Sequence, residues 1–148
     1  MADYIKAFKQ GLEAALVADR ARKEIDEVFA DLNNQLSKET KNKICIERRE
    51  YEKGHTLSEV LKNPFLPLSG KSWVIVVFDP SVDESPVKKL AIWSMDRAGY
   101  PCKIVWKNVD VSCEDKEALE NSLSDLLRDP LVGEKLHSLI QMWEIQPE

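Results

Sequence analysis

The sequence is poor in the residues that most enzyme and metal chemistry uses: it has two histidines, three cysteines and five glycines in 148 residues. Cys45, Cys102 and Cys113 are odd in number and lack metal-type spacing, which excludes a zinc site of the usual kind. A reduced, cytoplasmic protein is the expectation, with a Cys102–Cys113 bridge as the alternative. His55 falls in a turn and His137 beside Leu136 on a helical stretch, and no nucleophile motif surrounds either. No glycine-rich loop suited to phosphate is present, so no cofactor is expected. No apolar run approaches the roughly 20 residues that a membrane helix needs. The first residues include Asp3 and Glu13 and lack a leader pattern. Internal repeats and low-complexity segments are also missing.

What is present is ordinary for a folded domain: 43% hydrophobic and 32% charged residues, at a length that suits one domain over 1–148. Charge is uneven within the net −5. Residues 110–148 carry ten acids against three bases, a net of −7. Residues 1–109 carry sixteen acids against eighteen bases, a net of +2. An acidic last third disfavours nucleic acid there and suits a solvated helical face or a basic partner.

The densest apolar run is Ser72 to Asp79, bounded by proline, glycine and serine on both sides. It reads as a buried strand. Trp73, Ile75 and Val77 share one face and Val74, Val76 and Phe78 the other, so both faces need cover.

Residues 2–38 lack proline and are rich in Ala, Glu, Lys, Leu and Arg, which predicts helix. Two apolar stripes run along it: Ile5, Phe8, Leu12 and Leu16, then Ile25, Phe29, Leu32 and Leu36. At 100° per residue they are offset by roughly 100° or more, too much for heptad drift of about 20° to join. The helix therefore bends near residues 18–23 or serves two surfaces. The second stripe is expected on the sheet. The first is expected to be an oligomer interface, making 1–38 a helical arm.

Ile44 to Tyr51 alternates and reads as a half-exposed strand near an edge. Thr56-Leu57-Ser58-Glu59 fits a capping box opening a short helix over 57–62. Val87 to Arg97 and Cys102 to Val109 are the third and fourth strands, joined at Asp96-Arg97-Ala98-Gly99, with Gly99 free to take positive φ. On the fourth, Cys102, Ile104 and Trp106 point one way and Lys103, Val105 and Lys107 the other. Ser112 with Asp115 signals a cap. The helix it opens carries Leu119, Leu123, Leu126 and Leu127. Asp129-Pro130 ends it and starts another, with Val132, Leu136, Leu139, Ile140 and Trp143 as its stripe. The tail Gln146–Glu148 is expected to fray.

The fold is thus α+β: a long N-terminal helix, a four-stranded antiparallel meander and two C-terminal helices. Two site alternatives remain. Asp79, Asp83 and Glu84 follow the central strand, where carboxylates can hold a divalent metal for a hydrolase or nuclease. The lysine expected at close spacing with a partner acid is missing; the next strand offers only Lys88 and Lys89. Lys41, Lys43, Arg48 and Arg49 form a basic group for nucleic acid, which Lys53, Lys103 and Lys107 could extend, diluted by Glu47, Glu50 and Glu52. Trp73, Trp93, Trp106 and Trp143 fall on core stripes and read as packing. The leading reading is a non-enzymatic binding or accessory protein of the small bacterial or phage kind. It self-associates as a homodimer and contacts a macromolecular partner, a basic protein on charge grounds, with no membrane involved.

Overall fold

A computed structural model describes residues 1–53 and 70–144 of the chain. The expected turn at His55, the Thr56 capping box, the helix over 57–62 and the tail 146–148 lie outside those residues, as does the side chain of Trp143. The element order is α1 (Tyr4–Thr40), β1 (Cys45–Lys53), β2 (Gly70–Phe78), β3 (Lys88–Asp96), β4 (Gly99–Trp106), β5 (Val109–Cys113), α2 (Lys116–Arg128) and α3 (Pro130–Glu144). The strands form one antiparallel sheet in the order β1-β2-β3-β4-β5. This is the expected α+β architecture with one strand more.

The extra strand corrects the reading of 102–109 as a single strand. Trp106 pairs with Val109, and Lys107 between them takes φ 51. Asn108 beside it is the one turn-type residue there, a weaker signal than the glycine or proline that marks the other turns between strands. Ser112 consequently belongs to β5, and the cap of α2 is Asp115, whose carboxylate accepts from the Ala118 N–H at 2.8 Å. Asp129 and Pro130 divide α2 from α3 as expected.

α1 is continuous for 37 residues, about 55 Å at 1.5 Å per residue. Asp3 caps its start by accepting from Lys6 N–H at 3.0 Å. Its end unwinds through Lys41 and Asn42, both at positive φ, with Asn42 N–H returning to the Ser37 carbonyl at 2.9 Å. No bend is needed because the two stripes meet different surroundings.

Only the second half of α1 lies on the sheet. It crosses β1 and β4 and runs beside α2. Ile25, Val28 and Phe29 join Ile46, Ile75, Val77, Trp93, Cys102 and Ile104 in the core, which α2 and α3 complete with Leu119, Leu126 and Leu139. Three polar ties fix this crossing. Asn33 accepts from Ile46 N–H at 2.8 Å and donates to Ile46 C=O at 2.7 Å, satisfying backbone groups on the outer side of edge strand β1. Tyr100 Oη donates to Glu24 Oε1 at 2.8 Å. Gly99, at φ 91, lies under Ala21 so closely that a Cβ there would stand 2.7 Å from the Ala21 Cβ. Beyond that crossing the helix leaves the sheet.

β2 is interior and buried on both faces, Val74 and Val76 on the second at 7% and 4% exposure, slightly less completely than Ile75 and Val77 on the first. Trp73 departs from its expected packing role, being 41% exposed. It lies at the margin of the core, opposite Trp93 on β3.

Candidate functional site

Residues 1–17 are all exposed. Ile5, Phe8, Leu12 and Leu16 are respectively 69%, 65%, 50% and 56% exposed, although each sits on a regular helix. The helical period that puts Ile25 and Phe29 on the sheet turns this first stripe elsewhere. By the same period Lys6, Lys9, Gln10 and Glu13 occupy the polar side of the segment. The arm is therefore an amphipathic helix with its apolar side facing solvent.

The candidate basic group does not form one face. Arg48 points toward α1. Its guanidinium pairs with Asp26 at 2.6 Å and sits 4.4 Å from the Phe29 ring centroid and 5.3 Å from that of Trp93. Arg49 is on the other face, paired with Glu47 and stacked over Phe78 at 4.6 Å. Lys41 forms the C-cap of α1, and Lys43 reaches Ser81 Oγ at 3.3 Å. Of the extending lysines, Lys107 holds Asp129 at 2.9 Å and Lys103 stands 4.0 Å from Asp110.

The three loop acids do not converge either. Asp79 is 2% exposed. Its Oδ1 accepts from the backbone N–H of Ser81 at 2.9 Å and from Ser81 Oγ at 2.6 Å. That is a local turn built by the side chain. Asp83 and Glu84 stand out in solvent. Lys88 and Lys89 turn toward α3 or solvent, with Lys88 Nζ on Ser138 Oγ at 2.9 Å. Among the described residues no cluster of three or more His, Cys, Asp or Glu side chains is placed to hold a cation. His137 is exposed on α3.

A feature the sequence reading passed over lies on the arm's side of α1, where the helix meets the sheet margin. A groove of about 420 Å³ runs there, with Phe29, Trp73 and Met95 as its apolar part and Arg22, Asp26 and Arg48 among its polar part. Trp73 and Met95 are 41% and 39% exposed. The available signal was the place of Trp73 at the leading end of the apolar run, next to the polar Lys71 and Ser72, where cover from the helix runs out. A second groove, of about 380 Å³, separates α1 from α2, with Glu27, Asp31 and Glu120 along it opposite Lys116.

Compared with known protein families, with curated proteins and with solved structures, this chain matches none.

Proposed function

We propose that this chain is a non-enzymatic association module that pairs with a second copy through the arm at residues 4–17 and offers its folded domain to a macromolecular partner. The observation that carries the reading is the exposure of Ile5, Phe8, Leu12 and Leu16 on a helix that overhangs its own domain. Fully burying one such side chain contributes about 1.5–3 kcal/mol. A whole stripe left in water is therefore a reservoir of binding free energy that a second copy can use. The acidic surface at α2, with Glu117 and Asp125 exposed on the helix and Glu114 just before it, suits a basic partner.

The test is light scattering on the intact chain and on a Phe8→Glu, Leu12→Glu variant. A dimeric or larger mass is expected for the first. The variant should be monomeric and keep its melting temperature when dilute, since both side chains are exposed and neither joins the core among the described residues. A monomeric intact chain at high micromolar concentration sinks the proposal.

A further inference from the structure

We infer that two copies exchange arms: each α1 runs antiparallel to the other about a two-fold axis, and residues 4–17 of each lie in the Phe29–Trp73–Met95 groove of its partner. This rests on the proposed self-association and adds which surface receives the arm. The first observation is geometric. At about 100° per residue, the stripe of Ile5, Phe8, Leu12 and Leu16 and the α1 residues along the groove have mean directions about 60° apart. Their centres are about two and a half heptads apart, and a left-handed coil drifts about 20° per heptad in the same sense. One gently supercoiled seam thus runs from the stripe to the groove, with Leu16 flanking it. It reads Ile5, Phe8, Leu12, Ala15, Asp19, Arg22, Asp26 and Phe29, at alternating spacings of three and four. This is the period of a helix–helix interface.

The second observation is charge. The seam is apolar at the arm and charged in the middle, and it ends at Phe29, 5% exposed beneath Arg48, where the exposed Trp73 and Met95 of the sheet supply the apolar surface. In an antiparallel pair the register that sets Leu12 against Phe29 of the partner subunit also sets Asp19 against Arg22 of the partner subunit, twice, across the axis. Sliding by one heptad sets Leu12 against a guanidinium instead. Asp19 is 57% exposed, paired only loosely at 3.2 Å with Lys23 on its own helix. Arg22 is exposed, with Nε 3.3 Å from the Ala18 carbonyl. Both are therefore placed to reach a second chain.

The third observation is area. Pairing arm against arm would cover one short helical stretch per chain. Exchange uses an arm and a groove on each copy, closer to the roughly 800 Å² per partner of a stable interface. It also covers, with a single occupant, two apolar surfaces that the monomer leaves open: the arm stripe and the exposed edges of Trp73 and Met95.

The experiment is a charge reversal read by sedimentation equilibrium on the full chain. Asp19→Arg alone, or Arg22→Asp alone, places like charges together and should raise the dimer dissociation constant roughly tenfold or more. The double variant Asp19→Arg, Arg22→Asp should restore it. Met95→Glu, in the groove, should weaken the dimer as well. Circular dichroism on each variant verifies the fold; all three positions are exposed. A dimer indifferent to the single reversals and to Met95→Glu overturns arm exchange but leaves self-association standing. A monomeric intact chain overturns both.

Discussion

Gly99 shows how much one residue can fix. Its φ of 91 belongs to a region that side chains rarely enter, and its α-carbon faces Ala21 with no room for a methyl group. The sequence called for a turn glycine there; it could not show that a helix would press on that turn. Gly99→Ala is expected to destabilise the fold by about 2 kcal/mol or more, combining backbone strain with overpacking. Urea denaturation measures it, and an unchanged midpoint would mean that α1 does not rest on this hairpin. Arg48 teaches the reverse lesson. It counted as a cation for nucleic acid, yet its guanidinium is shared between Asp26 and the faces of Phe29 and Trp93. Sequence assigns a charge to a residue; only neighbours decide whether that charge is spent inside the fold.

At the scale of elements, β2 and β3 were both legible as apolar strands, but the worth of their apolar residues was not. Ile75 on β2 is fully buried, whereas Ile92 on β3 is 43% exposed. Ile75→Ala should therefore cost about 2–5 kcal/mol, as a cavity in a closed core does. Ile92→Ala should cost less than about 1 kcal/mol, because little area is removed from cover. Equal losses, measured by chemical denaturation, would show that the second face of the sheet is as closed as the first. β5 was missed because its turn is Lys107-Asn108, with Lys107 at positive φ and no glycine, so Asn108 was the only local sign. What holds that turn is tertiary: Asp129 accepts from Lys107 Nζ at 2.9 Å, from Trp106 Nε1 at 3.2 Å and from Leu131 N–H at 2.9 Å. A local rule has no access to a partner some twenty residues away.

For the molecule as a whole, pH is the most direct probe of the packed core. Burial, with the Cys113 thiol beside it, pushes the Cys102 thiol up from its ordinary value of 9.0 to about 12. A group raised in the folded state stabilises fully below its unfolded pKa, and that contribution is lost as pH climbs toward the folded value. Stability should hold to about pH 8.5 and then decline toward pH 12. Tyr100, raised by burial and by its bond to Glu24, adds to the decline above about pH 10. Cys102→Ala should make the decline shallower, read as the urea midpoint across pH 8–11. An identical slope would mean that the thiol is accessible.

The sequence by itself determined the elements: apolar period and helix propensity set α1, alternation set β1 and β4, runs apolar on both faces set β2 and β3, and Asp129-Pro130 set the break between the last helices. These depend on residues close together in the chain. It also marked the stripe at Ile5 to Leu16 as distinct from the one at Ile25 to Leu36, since azimuth along a helix is a local property. Tertiary structure alone decided that α1 runs unbroken, that it leaves the sheet at the Ala21–Gly99 contact, and that Arg48 is taken up by Asp26 and Phe29 of α1 while Arg49 pairs with Glu47. The physical reason is burial: a pattern says which side of an element is apolar, and only the packed neighbours say whether that side is covered.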